Sequence, residues 1–190
     1  MNKKVFLGLL VIVMTLAVAT TGCTFNTSTS SGSASPSSSA VPQTIAGYST
    51  YTNATAGLRM QYPSGWNLTE GGTSTRVVKF SGPEGTNVIL VKGRDSRSLD
   101  VVKDVFISSI LNETSYNYTL VSTEKTTLAG MPAYNVTLTS SYLGVDLKQM
   151  QTIVKKDDQV YMISYTTALE QWPNYLDEIN NMGNSLAFTS

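Results

Sequence analysis

RVVKFSGPEGTNVILVKGRDSRSLDVVKDVFISSIL, residues 76–111, holds the decision about the fold. Residues 76–81 and 87–92 read as two strands joined across Gly82-Pro83-Glu84-Gly85, a dense turn signal. The run Val88-Ile89-Leu90-Val91 is apolar at every position, as in a strand buried on both faces. A helix must follow. Asp95, Ser96 and Ser98 are N-cap residue types, and Leu99, Val102, Val105, Phe106, Ile110 and Leu111 then recur at helical spacing. Lys103, Asp104, Ser108 and Ser109 take the opposite side, and Asn112 is the expected stop. A hairpin followed by an amphipathic helix that needs an apolar surface predicts an α+β fold, with helices laid on a sheet.

Moving outward, the chain on both sides agrees. Residues 48–52 and 58–62 predict a first hairpin around residues 53–57, closed by Pro63-Ser64-Gly65 and followed by Trp66. Downstream, residues 118–128 form a strand that runs into the turn Ala129-Gly130-Met131-Pro132. Tyr134, Val136 and Leu138 alternate with Asn135, Thr137 and Thr139, the period of a half-buried strand. Residues 147–154 and 160–166 flank a polar tip at 155–159. The last element is a helix over 173–186, with Tyr175, Ile179, Met182 and Leu186 along one stripe and Pro173 in its first turn. One domain over 45–190 is expected. About 145 residues bury roughly two-thirds of their unfolded surface, enough for a core without disulfides.

Gly57-Leu58-Arg59-Met60-Gln61-Tyr62-Pro63-Ser64-Gly65-Trp66 resembles a motif of the PsbP family, as do Phe80-Ser81-Gly82-Pro83 and the strand 88–91. Leu128-Ala129-Gly130-Met131-Pro132-Ala133-Tyr134 and the closing Asn184-Ser185-Leu186-Ala187-Phe188 are similar to later parts of that family, in the same order. The resemblance, to a PsbP-like lipoprotein of prokaryotic type, covers nearly the whole domain. It implies an α-β-α sandwich around an antiparallel sheet of about six to eight strands. It implies no photosynthetic role, and no functional residue carries over from it.

The first 22 residues carry an address. Lys3 and Lys4 precede an apolar run over 5–18, and the small residues Ala19, Thr20, Thr21 and Gly22 then lead to Cys23. This is the layout of a secretory signal peptide, with an apolar run too short to span a bilayer comfortably. Small residues abutting a cysteine resemble the lipobox of prokaryotic lipoproteins, although Thr20 stands where leucine is usual. Cys23 is the only cysteine. A lone thiol outside the cell makes no internal disulfide and is a reactive liability unless capped, so lipidation of Cys23 is expected. Residues 23–44 are rich in Ser and Thr, with Gly32, Pro36 and Pro42, and predict a flexible tether. About 20 such residues have a root-mean-square span of roughly 25 Å. The exported chain would thus be anchored to the outer face of the cell membrane through the lipid on Cys23.

Composition excludes several function classes. The 190 residues carry 13 basic and 13 acidic side chains, with no basic stripe of the kind a nucleic-acid partner requires. Histidine is absent from the sequence, which removes the usual general base near neutral pH and the commonest transition-metal ligand. No phosphate-cradling loop, zinc spacing or dinucleotide fingerprint occurs, so no cofactor is expected.

The remaining motifs each have a plain alternative. Tyr62-Pro63-Ser64-Gly65-Trp66 reads as an aromatic ligand platform or, preferably, as a strand end that plugs Trp66 into the core. Ser122-Thr123-Glu124-Lys125 matches Ser-x-x-Lys, but on a strand those two side chains point to opposite faces. Asp157 and Asp158, with Asp95, Asp100 and Asp104, offer oxygen ligands for calcium without a calcium-loop spacing. They read equally as a solvated hairpin tip and a helix N-terminus. Asn26, Asn53, Asn67, Asn112, Asn117 and Asn135 begin Asn-x-Ser/Thr patterns that could accept glycans, a tripeptide that a Ser/Thr-rich chain also forms by chance. The expectation is a non-enzymatic, membrane-anchored accessory or binding module for an envelope protein complex or a small ligand. The alternatives are a cell-envelope hydrolase with carboxylates assembled by the fold, or a structural envelope protein.

Overall fold

The structure is a computed structural model and describes residues 44–189. The leader, Cys23, Asn26 and the linker up to residue 43 lie outside the described residues.

The hairpin that decides the fold forms as expected. Strand β4 (Arg76–Ser81) turns through a short 3-10 segment at Pro83–Gly85 into β5 (Asn87–Arg94). The side chains of β5 alternate between two cores. Val88 and Leu90 join one apolar cluster, Ile89 and Val91 the other. Helix α1 (Leu99–Leu111) is capped by Ser98, whose hydroxyl accepts from the Val101 amide, and it ends at Asn112. Its buried stripe is Val102, Phe106 and Ile110, laid on Ile89, Val91, Val136, Leu138 and Ile153.

The chain then runs as a meander: β6 (Thr119–Leu128), β7 (Met131–Tyr142), β8 (Val145–Lys156) and β9 (Gln159–Ala168). Strand β9 returns to pair with β5, Asn87 opposite Thr166, which places β5 inside the sheet. With β3 (Asn67–Glu70) beside β4, the order is β3-β4-β5-β9-β8-β7-β6, seven strands with every neighbouring pair antiparallel. The face opposite α1 is covered by a second, three-stranded sheet and by helix α2 (Leu176–Ser185). That smaller sheet orders β1 (Tyr48–Asn53), β2 (Leu58–Pro63) and β10 (Ala187–Phe188). The α-β-α sandwich implied by the resemblance is present.

Among the differences from the sequence reading, two concern how predicted elements are placed. The hairpin at 48–62 joins its own small sheet rather than the main one. Pro173 lies inside a 3-10 segment, Leu169–Tyr175, and α2 begins only at Leu176. The tighter winding turns Trp172 inward, where its ring lies 4.6 Å from that of Tyr165.

One end of the sandwich gathers several segments. Gly47 accepts from the Ser64 amide, Trp66 packs on Gly82, and Ser81 pairs with Asn87. Asn87 then faces Thr166, Ala168 faces Leu147, and the β7–β8 turn at Tyr142 and Val145 lies just beyond. The chain enters the fold at this end, called here the entry end. At the far end Arg94 pairs with Gln159, and the β8–β9 turn carries Asp157 and Asp158.

Candidate functional site

Helix α2 covers only part of its sheet face. The main sheet turns Ser122, Glu124 and Thr126 of β6 to the same side as Thr137, Asn135 and Ala133 of β7, since these residues are register partners. Met150 and Lys148 of β8 face Thr137 and Thr139 in the same way. Most of this outer half of the sheet is half-buried or exposed, with hydroxyls uppermost.

Where the bare half-sheet meets α2 there is a cleft of about 110 Å³. Its floor is Met150, Thr152, Ile163 and Tyr165, with Asn135 and Thr126 on the sheet side. Its helix wall is Ile179, Asn180, Met182, Gly183 and Asn184. The Thr152 hydroxyl donates to Oδ1 of Asn135 at 2.7 Å, which orients that amide across the sheet. An added Cβ on Gly183 would meet no atom within 4 Å, so glycine leaves this part of the wall open. Apart from the Tyr165 phenol, the lining has no ionisable group. That phenol is buried and stays protonated: burial raises its pKa, and Glu178 and Tyr175 push it further. The Thr167 side chain lies near it without completing a hydrogen bond of good geometry. The cleft therefore offers amides, hydroxyls, thioethers and an aromatic ring, a surface that recognises polar neutral groups rather than charges.

The residues singled out in the sequence are mostly elsewhere. Trp66 is buried, edge-on to Tyr175 with centroids 6.3 Å apart, so it serves the core. Ser122 and Lys125 pair with Thr137 and Tyr134 on opposite faces of the sheet. Asp95 is held by Arg97 at 2.5 Å. Asp100 accepts from the Tyr134 hydroxyl, and Asp104 pairs with Lys103 at 2.9 Å. Among the described residues no group of three or more acidic or cysteine side chains stands together to hold a metal ion.

The glycan-acceptor patterns scatter over the surface. Asn67 is exposed at the start of β3, Asn112 closes α1, and Asn117 is exposed in the loop before β6. Asn53 is tied into its turn, accepting from the Ala56 amide at 2.7 Å. Among the described members of this set only Asn135 lines the cleft.

Residues to which the sequence reading gave no binding role supply the helix wall. Asn180, Gly183 and Asn184 recur at i, i+3 and i+4, so they share a helix face. All are poor helix formers, and three of them on one face is a signal of a face under another demand.

Taken together, these features define a class: an α+β sandwich whose sheet carries an open, uncharged polar cleft beside its last helix. The chain belongs to the PsbP-like protein family, whose model matches residues 7–186. Among solved structures it is similar to cyanobacterial PsbP (CyanoP) from Synechocystis sp. PCC 6803, with a TM-score of 0.60 at 14% identity. That match covers 80% of this chain and 98% of the other. It is similar to LpqN, involved in cell envelope biogenesis of Mycobacterium tuberculosis (TM-score 0.54, 14% identity, 70% of this chain and 83% of the other). A third likeness is to the Ran-binding protein Mog1p of Saccharomyces cerevisiae (TM-score 0.55, 10% identity, 75% and 96%). At these identities the structural likeness speaks for the fold alone. No curated protein matches the sequence.

Proposed function

We propose that this protein is a non-catalytic binding module, held at the outer face of the membrane by a lipid on Cys23 and serving an envelope protein complex as an accessory. The cleft beside α2 is its recognition site. The observation that carries this reading is the lining: amides and hydroxyls around an apolar floor, without a carboxylate, lysine or arginine.

Size decides between ligand classes. Sites that engulf a drug-sized molecule are roughly 300–1,000 Å³, whereas this cleft is about 110 Å³. It admits one side chain or a loop tip, and the bare half-sheet beside it gives that segment a surface to lie on. A protein partner fits both parts; an enclosed small ligand fits neither. LpqN, a neighbour in fold, is involved in cell envelope biogenesis, and the signal-peptide pattern of the first 22 residues supports an envelope setting for this chain as well. The hydrolase alternative requires carboxylates where a substrate would sit, and it gains no support from this cleft.

Crosslinking and pull-down from native membranes test the proposal, comparing the intact chain with Cys23→Ser and Gly183→Leu. Leucine at 183 fills the cleft from a helical position with open space. A defined complex with the intact chain, lost from Gly183→Leu while its thermal melt is retained, supports the site. Undiminished capture by Gly183→Leu rejects it. Loss from Cys23→Ser alone supports the tether.

A further inference from the structure

The β7–β8 turn is built against the usual chemistry of turns. Tyr142 pairs with Val145, leaving Leu143 and Gly144 at the corner with φ of 50° and 79°. Positive φ at both corner residues belongs to a type I′ turn, where Asn-Gly or Asp-Gly is preferred. A leucine there adopts the left-handed region that L side chains avoid. It gains no burial in exchange: Leu143 is 86% exposed and Val145 is 50% exposed. A strained backbone that holds a large apolar side chain in solvent points to an occupant outside the fold.

The surroundings extend the apolar tip. The Tyr116 ring lies 5.1 Å from that of Tyr142 and 5.8 Å from that of Tyr118. Leu169, which follows the β9 residue paired with Leu147, is exposed at the same end, and Val121 is 55% exposed at the bulge in the neighbouring edge strand. The charge nearby is acidic on balance: Asp146 is offset by Lys148, but Glu170 adjoins Leu169 and Glu113 lies close to Tyr118. The far end is built differently, with Arg94, Lys156, Asp157 and Asp158 around its turn.

We propose that the Tyr142–Val145 tip inserts into the lipid bilayer and sets the domain upright on the membrane. The inference rests on the membrane-tethered reading above, and two observations select lipid as the occupant. The chain enters the fold at the same end as the tip, and a flexible stretch of about 20 residues would span only roughly 25 Å, so a lipid on Cys23 would hold this end near the bilayer. Tyrosines flanking exposed aliphatic side chains also match the composition of a membrane interface. The excess of acidic side chains at this end disfavours anionic lipid, so a neutral bilayer is the surface that fits.

The test uses the lipidated full-length protein in phosphatidylcholine vesicles containing nitroxide-labelled lipid. A cysteine is introduced by Val145→Cys or, at the far end, by Asp158→Cys, and is labelled with an environment-sensitive fluorophore. If Cys23 carries lipid, the introduced thiol is the only free one; labelling at two sites shows that the tether reading has failed, independently of the tip. The expected result is a blue-shifted, nitroxide-quenched label at 145 and a solvent-like label at 158. Adding Leu143→Asp should lower the quenched fraction about tenfold, the effect expected when a leucine's burial is lost. Equal aqueous signals at 145 and 158 on vesicles overturn the proposal, whatever the state of Cys23. Shielding at 145 that persists without vesicles assigns the tip to a second copy and overturns it as well.

Discussion

Trp66 and Gly82 stand so close that neither can change alone. A Cβ at Gly82 would lie 2.6 Å from Cε2 of Trp66, so the turn needs glycine for the ring's approach rather than for its backbone angles. Gly82→Ala should lower the unfolding free energy by about 1–3 kcal/mol, the usual penalty of overpacking, read as a shift in urea midpoint. Ser185 is a second residue of this kind. Its buried hydroxyl accepts from the Gln61 amide and donates to the Met182 carbonyl, each at 2.8 Å, joining α2 to β2. Ser185→Ala strands the Gln61 amide and should cost about 1–3 kcal/mol by the same measurement. Asp95 tests electrostatics. Hydrogen bonding from Arg97 holds its carboxyl below the usual range, and this outweighs the opposing effect of burial. A carboxyl depressed on folding stabilises fully above its unfolded pKa, near 3.8, and that contribution fades as pH falls through the lower folded value. Acid titration of the urea midpoint should show this loss in the native protein and not in Asp95→Asn.

At the scale of the element, Gly183 separates stability from recognition. Its position in α2 is helical and uncrowded, so Gly183→Ala should raise stability by about 0.5–1 kcal/mol, seen as a higher melting temperature. The larger Gly183→Leu side chain should block the cleft. How much of each element is visible in the sequence follows from how far its burial is local. Strand β5 and helix α1 carry their periodicity in their own residues, and both appear where that periodicity puts them. Strand β3 escapes notice because all four of its residues are exposed and no apolar alternation marks it. Strand β10 is two residues long and exists only because β2 offers a partner. Gln149 and Gln151 are polar, a type usually found at the surface, yet both are wholly buried. Gln151 donates to Gln149 at 3.4 Å and accepts from Ser164, while Gln149 donates to Ser140 at 3.5 Å, a polar line across three strands. Hydropathy alone does not reveal burial that depends on partners from neighbouring strands. The cleft was half legible: the stripe Asn180, Gly183, Asn184 was open to inspection, but its pairing with Asn135 and Thr152 is a product of the tertiary fold.

Seen whole, the molecule has two unlike ends, and the strain at Leu143 becomes intelligible only at this scale. If the left-handed corner serves an external surface, relaxing it should favour the isolated domain. Leu143→Asn is expected to raise unfolding stability in solution by about 1 kcal/mol, because asparagine tolerates the left-handed region. An unchanged or lowered melting temperature would count against that account of the turn.

The pairing of β5 with β9 also governs how the chain reaches this structure. Strand β5 is enclosed on both faces, yet its partners on β9 lie 65–79 residues further along the chain, so its ladder must await a large loop closure. The meander from β6 to β9 can assemble from local contacts, whereas β5 finds only β4 locally and must wait for its second neighbour. Until the last hairpin arrives, Val88-Ile89-Leu90-Val91 presents an apolar edge that is apt to associate with other chains. Refolding should therefore be slow and sensitive to protein concentration, with the kinetic bottleneck at the centre of the sheet and not at its margins.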